Sequence, residues 1–272
     1  MRKDSSTTSL PDSHKGVQTR LQTLAKVLGP LLIVGVGLEV AVRAEWISPF
    51  VLPRPTDVLK SLVNDRVELL DGLHATAMAS SLALGVSASA AMVMALIMSQ
   101  SRWARQALLP YAVFFQTVPI IALAPMLVIW FGFGFPTALA SAVVASFFPV
   151  LASALAGLDS ADSAWVDLFR LHRASAWQEL VKLRLPAALP YVFAGLRVSA
   201  GLAVIGCIVG EFIGGGGLGS VIDAARTQQK LDKVFAAVFL SSALGFFMIG
   251  VVDQLAKWSL SPWHVSARDQ DA

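Results

Sequence analysis

Long apolar segments alternate with short polar segments along this chain of 272 residues. A helix needs about 20 mainly apolar residues to cross a membrane, and a backbone polar group left unpaired in lipid costs several kcal/mol, so crossing segments are helical. Six segments have this length and character: 24–42, 75–98, 107–131, 136–158, 191–213 and 234–257. The pattern therefore predicts an all-α, polytopic membrane protein with six transmembrane helices.

Lysine and arginine are distributed unequally between the two sides of these segments. Thirteen of the 21 lie on the side that holds both termini, counting Lys26 and Lys257 at segment ends, and seven lie on the other side. By the positive-inside rule, both termini are cytoplasmic. The polar start, residues 1–22, is predicted to be a disordered cytoplasmic tail, and residues 259–272 a second cytoplasmic tail. The alternative for the start is a signal peptide cleaved near Val42.

Composition limits the chemistry that this chain can perform. Its four histidines lack a metal-binding spacing, and its single cysteine, Cys207, excludes an intrachain disulfide. It contains no G-x-x-x-x-G-K-[ST] motif for nucleotide phosphates. The formal charge of +3 is explained by contact with anionic membrane lipids. We therefore expect no catalytic residue, metal or cofactor on this chain, and no nucleic-acid partner.

The polar segment between the fourth and fifth apolar segments, residues 159–189, is predicted to be a docking element. Its first half carries apolar or aromatic side chains at helical spacing, which predicts an amphipathic helix. These side chains are Trp165, Leu168, Phe169 and His172. Ser175 is a candidate N-cap for a second short helix that starts at Trp177. The alternative interpretation is an interfacial helix that rests on lipid headgroups.

Two prolines, Pro119 and Pro125, interrupt the third apolar segment. Each removes a backbone donor and clashes with the preceding turn, so carbonyl groups are freed that need other partners. The alternatives are a kink that serves helix packing and a broken helix beside a translocation path. In the second case Gln116, Pro119 and Pro125 are path candidates. Small residues at 75–81 and 138–142 indicate close helix packing.

An ionisable residue inside an apolar segment needs a partner or water, and is therefore a functional candidate. Four occur: Glu39, Arg197, Glu211 and Asp253. For Arg197 the alternatives are snorkelling to the interface and lining the path. Glu211 precedes a glycine-rich run, and facing the mouth of a cavity is one of the alternatives for it. That run, residues 214–219, satisfies G-x-G-x-x-G but follows a membrane helix and not a strand, so we predict no dinucleotide site there.

Several short motifs follow one another in order along most of the chain. They are Pro53-Arg54-Pro55, His74 with Ser80 behind it, the run from Pro119 to Gly134, the stretch from Ala174-Ser175-Ala176-Trp177 to Pro190, Gly195-Leu196-Arg197, and Gly217-Leu218-Gly219. In this order and spacing, the chain resembles the permease subunit of binding-protein-dependent ABC importers, in particular the nitrate, sulfonate and taurine type. The resemblance covers roughly residues 53–263.

In that family, the loop before the fifth helix carries a motif whose helix docks into a cleft of the ATPase subunit. The resemblance aligns the motif's acid and two alanines with Asp167, Leu168 and Phe169, and its glycine with Arg173. The coupling element then also includes Ala174, Ser175 and Pro186. Arginine lacks glycine's freedom to adopt a positive φ, so the turn is either remodelled or strained at a cost of about 1–3 kcal/mol. A specialised partner, weaker coupling and a degenerate paralogue all remain as explanations.

The resemblance also implies partners in the bacterial inner membrane. They are an ATPase subunit that binds ATP, a periplasmic or lipid-anchored substrate-binding protein, a second copy of this permease, and membrane lipids. The assembly would import a nitrate-, sulfonate- or taurine-like anion or a vitamin precursor by alternating access. Residues 23–74 would form the first helix with a periplasmic segment, and residues 75–258 the permease core, with Arg197 and Glu211 as further path candidates. The alternatives are an ion-coupled secondary transporter and a membrane-embedded enzyme.

Overall fold

The computed structural model describes residues 29–30, 32–49 and 51–260. Every regular element within these residues is helical, which confirms the all-α prediction and the polytopic character of the chain. The predicted tail 1–22, nearly all of the predicted tail 259–272 and the first part of the first apolar segment lie outside the described residues. The chain divides into two compact units, Met1–Lys60 and Ser61–Ala272.

The first unit contains helix α1, residues 32–43, and the beginning of helix α2, Pro55–Asn64. The carboxylate of Glu39 accepts a hydrogen bond from Arg43 Nε at 2.8 Å. It also accepts hydrogen bonds from the backbone N–H of Thr56 at 3.1 Å and from its hydroxyl at 2.9 Å. The partners that this carboxylate was expected to need are therefore supplied within its own unit.

The second unit contains the long helices. After α2 they are α3 (Arg66–Gln100), α4 (Arg102–Thr117), α5 (Ile120–Phe131), α6 (Phe135–Asp159), α7 (Ser163–Leu171), α8 (Ala176–Glu179), a π-helical turn (Leu180–Arg184), α9 (Leu185–Gly214), α10 (Gly217–Thr227) and α11 (Leu231–Leu260). Four helical stretches are long and apolar enough to cross a membrane: α3, α6, the continuous stretch Ala176–Gly214, and α11. Helices α4 and α5 together make up to a fifth span, bent by 102°. These stretches correspond to the second to sixth predicted segments.

The third apolar segment is a broken helix, one of the two alternatives that its prolines left open. Helix α4 ends at Thr117 because Val118 and Pro119 are extended, with ψ of 124° and 119°. A residue before proline avoids the α region, which explains why the break lies here. Pro125, by contrast, lies inside α5 without ending it. The proximity of this break to a translocation path stays a prediction.

Helices α6 and α9 pack closely against each other in the second unit. A Cβ added at Gly206 would lie 2.7 Å from Cβ of Ala145, and one added at Gly210 would lie 2.8 Å from Cα of Ala138. Glycine lets two helices approach to this distance, as is usual in membranes, where close packing replaces the hydrophobic effect between helices. The close packing predicted for residues 138–142 is confirmed.

Buried serine hydroxyls join the same helices. The Oγ atoms of Ser87 in α3 and Ser146 in α6 are 2.8 Å apart. The hydroxyl of Ser199 in α9 donates to the carbonyl of Ser146 at 2.7 Å. Because lipid offers no competing donors or acceptors, such polar groups are satisfied within the protein. Helices α3, α6 and α9 therefore form a bundle held by both small residues and hydrogen bonds.

We expect Gly206→Ala to lower the stability of the detergent-solubilised protein by about 1–3 kcal/mol, because the added methyl group overpacks the contact with α6. The measurement is the thermal midpoint Tm, followed by tryptophan fluorescence. Gly201→Ala on the same helix is the matched control, since its new Cβ would meet only Cδ1 of Ile249 at 3.8 Å. Equal Tm values for the two variants would contradict the packing described above.

Candidate functional site

Helix α7 confirms the amphipathic helix predicted for the first half of the polar segment. Its N-cap residue, Asp162, accepts a hydrogen bond from the backbone N–H of Ala164 at 2.9 Å. No residue of α7 is buried. Trp165 is 56% exposed and Leu171 is 80% exposed. The apolar face of α7 therefore remains accessible in the described chain.

The chain reverses after α7 through a turn with two characteristic hydrogen bonds. The N–H of Arg173 donates to the carbonyl of Arg170 at 2.9 Å, and the N–H of Ala174 donates to that of Phe169 at 3.0 Å. This pair is the Schellman motif, in which glycine usually occupies the position of Arg173. The φ of Arg173 is 51°, in the left-handed region. Of the two alternatives for this turn, the strained one is observed, at a cost of about 1–2 kcal/mol.

Ser175 begins the second helix of the polar segment, as predicted. Its Oγ accepts a hydrogen bond from the N–H of Gln178 at 3.3 Å, and its own N–H donates to Oε1 of Gln178 at 2.8 Å. This reciprocal arrangement is a capping box. Helix α8 starts at Ala176, one residue before the predicted start at Trp177. Local hydrogen bonds therefore define the whole turn from α7 to α8.

A groove of about 320 Å³ opens between α7 and the following helix. It is lined by Leu168, Phe169, His172, Ala174, Gln178 and Lys182. Leu168 and Phe169 are the two positions where the resemblance places alanines. Their larger side chains form part of the groove wall, so the surface here differs in shape from one built on alanine.

The charges of the polar segment are only partly paired. Arg170 Nη1 lies 3.5 Å from Asp167 Oδ1, and both side chains are exposed. Among the described residues, no hydrogen bond or ion pair is formed by the side chain of Arg173 or of Lys182. The turn and the groove therefore present unpaired positive charge to their surroundings.

The π-helical turn connects the polar segment to α9 without a break. The N–H of Leu185 donates to the carbonyl of Leu180, five residues earlier, which widens the helix. Pro186 follows immediately, and in a regular helix its ring would clash with the carbonyl four residues before it. Arg184 Nη2 lies 2.6 Å from Glu179 Oε1 across the turn. The wider turn thus accommodates the proline while the helix continues into the membrane span.

The predicted path residues are distributed over α4, α5 and α9, and two of them, Arg197 and Glu211, share α9. Gln116, Pro119 and Pro125 are exposed along α4 and α5. Nε of Arg197 in α9 lies 3.6 Å from Oδ1 of Asp253 in α11, and the Arg197 side chain is 62% exposed. Within the described residues, no hydrogen bond or ion pair joins any two of the predicted path residues. Their assignment to a path stays a prediction.

Glu211 is enclosed by neighbouring helices, so the alternative in which it faces the mouth of a cavity is not the one observed. The residue is 2% exposed, and its carboxylate accepts a hydrogen bond from the hydroxyl of Thr76 at 2.8 Å and from the N–H of Gly219 at 2.9 Å. The N–H of Leu218 donates to Oγ1 of Thr76 at 2.9 Å. The carboxylate is enclosed because it binds the first turn of α10. We call Glu211, Thr76 and the amides of Leu218 and Gly219 the α10 cap.

The α10 cap explains the glycine-rich run that precedes the helix. Gly216 occupies the N-cap position and offers no capping side chain, so Glu211 of α9 and Thr76 of α3 supply the acceptors. A helix N-terminus favours negative charge, and here the anion is the chain's own carboxylate. A Cβ on Gly217, whose φ is 59°, would overlap that carboxylate. The glycine sequence is therefore required by a side chain of the same protein.

A separate charge cluster joins the starts of α3 and α11. Nζ of Lys233 lies 3.4 Å from Oδ1 of Asp65 and also contacts Glu68. The hydroxyl of Ser61 donates to Oδ2 of Asp65 at 2.8 Å. This hydrogen bond, together with the charge of Lys233, lowers the pKa of Asp65. A lowered pKa stabilises the fold above the carboxyl's ordinary value, and the contribution is lost as the pH falls through the folded-state value. The cluster is therefore intact at neutral pH.

Comparison with known proteins decides the family. The sequence profile of the family described as "Binding-protein-dependent transport system inner membrane component" matches residues 87–259. The chain belongs to this family. The motif resemblance is thereby confirmed, and the alternatives of an ion-coupled transporter and a membrane-embedded enzyme are set aside. This permease is a multi-pass inner-membrane subunit of an ABC importer for small solutes, and the ATPase is a separate subunit.

Three relatives illustrate the extent of the similarity. A probable ABC transporter permease protein of Haemophilus influenzae is 34% identical over 234 residues, which is 85% of this permease and 96% of the relative. The formylaminopyrimidine transport permease protein ThiX of Halalkalibacterium halodurans is 33% identical over 79% of this permease and 87% of the relative. The taurine transport system permease protein TauC of Escherichia coli is 30% identical over 81% and 82%.

Sequence analysis missed two structural features of this permease. Gly206, Gly210 and Gly214 recur at four-residue spacing and face α6, and this spacing is a readable signal for close helix packing. The contact between Thr76 and Glu211 has no such signal, because 135 residues separate the two partners. From the sequence alone, Thr76 and Glu211 can each be interpreted only within their own segments.

We expect Thr76→Val to destabilise the permease by about 1–3 kcal/mol, because the amide of Leu218 and the carboxylate of Glu211 each lose a partner in a buried site. Thr76→Ser keeps the hydroxyl and is the matched control. Hydrogen exchange followed by mass spectrometry would report faster exchange at the start of α10 in the valine variant alone. If both variants exchanged like the parent, the α10 cap would not stabilise this helix.

Proposed function

We propose that the ATPase subunit docks on the polar segment, and that the permease passes movement of this segment to its membrane helices. One observation carries the proposal: α7 keeps its apolar face accessible while the same segment continues without a break into α9. The docking residues are those aligned with the family's motif and those beside it. They are Asp167, Leu168, Phe169, Arg173, Ala174, Ser175 and Pro186.

The helical connection supports a mechanical route from the docking surface into the membrane. The stretch Ala176–Gly214 is 39 residues long. Its α9 part packs on α6 through Gly206 and Gly210, where the two helices are too close for a side chain to fit between them. A displacement of the turn at Ser175 therefore moves α9 and α6 together. ATP binding to the partner can drive this movement only by the difference in the partner's affinity for the two permease states.

The translocation path in this proposal lies between two copies of the permease. Gln116 and Arg197 are exposed on membrane helices of a single copy, and lipid is an unfavourable neighbour for such side chains. A water-filled path between two copies gives them polar surroundings. The proposal further holds that six helices cross the inner membrane, that both termini are cytoplasmic, that residues 75–258 form the core, and that a substrate-binding protein delivers solute from the other side.

The solute in this proposal is small. Relatives named for taurine and for formylaminopyrimidine transport support either an anion of the nitrate, sulfonate or taurine type or a vitamin precursor. ATP is bound by the partner subunit, and the permease itself contributes neither catalytic groups nor a cofactor.

A crosslink tests the docking site directly. With Cys207→Ser as background, which keeps a donor toward Glu211, a single cysteine at Ser175 is expected to crosslink to the cognate ATPase coexpressed in membranes. The yield is expected to change when ATP is added, because the partner moves the segment. Thr227→Cys at the exposed end of α10 is the matched control, since it lies on the side predicted to face away from the ATPase.

The crosslinking yield is interpreted only for samples in which copurification shows that the complex has assembled. A crosslink from position 175 and none from position 227 supports the proposal. No crosslink from position 175 in an assembled complex would show that the ATPase docks elsewhere.

A further inference from the structure

The backbone of the turn between α7 and α8 is suited to a residue other than the one it holds. Arg173 has a φ of 51°, a region that glycine adopts freely and asparagine tolerates. Residues held in such sparsely populated conformations cluster at functional sites and switch regions. The role of this turn therefore depends on what the arginine side chain binds.

The described residues of the chain do not supply that partner. Arg170 is paired with Asp167, and Arg184 is paired with Glu179. The exposed guanidinium of Arg173 forms no hydrogen bond or ion pair with any described residue. A guanidinium presents five donors in a fixed fork that matches a carboxylate in two-point contact. Because no described residue pairs with it, this guanidinium is available to bind an external anion.

The surroundings of the turn indicate what carries the anion. Leu168 and Phe169 form apolar wall on one side of the groove, and Lys182 adds a second unpaired positive charge. A protein surface that offers a carboxylate beside an apolar side chain complements this combination of charge and apolar wall. In the proposed function, the protein surface that meets the polar segment belongs to the ATPase subunit.

We propose that the guanidinium of Arg173 binds a carboxylate of the ATPase subunit, with the groove of Leu168, Phe169 and Lys182 receiving the apolar side chain beside it. This inference rests on the proposed function and names the chemistry of the partner surface. Arg173 thereby selects an ATPase with an acidic residue at the matching position. The strain of the free turn is offset by a contact that exists only in the complex.

The test measures the affinity of the purified cognate ATPase for the permease in nanodiscs of neutral phosphatidylcholine, by biolayer interferometry. Arg173→Asn tolerates the same backbone but lacks the charge, and Arg173→Lys keeps the charge but not the fork. We expect the asparagine variant to bind about tenfold more weakly, and the lysine variant to lose less. Binding of the parent is expected to fall more steeply with salt than binding of the asparagine variant.

Arg173→Gly separates docking from the integrity of the turn. It relieves the positive φ, so its Tm is expected to equal or exceed that of the parent while its affinity falls as for Arg173→Asn. The crosslink from a cysteine at position 175 is expected to persist in this variant at saturating ATPase concentration. That result would keep the docking site while assigning the lost affinity to the side chain.

Two results would overturn the inference. Unchanged affinity in both Arg173→Asn and Arg173→Gly would show that the guanidinium binds nothing on the ATPase. An effect of these substitutions seen only when the nanodiscs contain anionic lipid would assign the guanidinium to a lipid headgroup. If the cysteine at position 175 forms no crosslink while Arg173 is unchanged, the proposed function fails, and the inference fails with it.

Discussion

The hydrogen bonds of the Glu211 carboxylate are the interaction on which the packing of α3, α9 and α10 depends. A carboxylate inside an apolar helix is costly unless donors surround it, and here they come from α3 and from the first turn of α10. The same contact supplies acceptors to amides that Gly216 cannot cap. One side chain thus fixes three helices, and it also dictates the backbone around it, because a side chain at Gly217 would overlap the carboxylate.

This arrangement gives α9 different restraints along its length. At one end, Glu211 holds the helix to the start of α10 through the α10 cap. In the middle, Gly206 and Gly210 bring the helix against α6. At the other end α9 continues through the π-helical turn into α8, with no loop between them. In the proposed function, a helix held in this way transmits displacement as a rod, and the widened turn is an irregular point along it. The geometry suits a permease in which a partner acts on one end of the helix and the solute path lies beside the middle.

The features that the sequence predicted well are those determined by neighbouring residues. The positions of the apolar segments, the amphipathic spacing of α7 and the cap at Ser175 all depend on side chains within a few positions of one another. Pro119 predicted a break for the same reason, but not the 102° between α4 and α5, which depends on what each half packs against. The surroundings of Glu211 could not be predicted because its partner lies in another segment, and a charge near the end of an apolar segment is equally compatible with a cavity and with a buried cap.

Arg173 occupies a turn position that favours glycine. The turn requires a left-handed residue, and the structure adopts that conformation with an arginine in place. The two hydrogen bonds that define the turn, to the carbonyls of Arg170 and Phe169, are both present. The backbone therefore keeps the conformation of a Schellman motif. The free permease therefore holds about 1–2 kcal/mol of strain that a glycine would avoid. Strain that is present in both the free and the docked permease cancels from the binding free energy. Under the proposed contact, the affinity that Arg173 adds therefore comes from its side chain, which favours ATPases that offer a matching carboxylate.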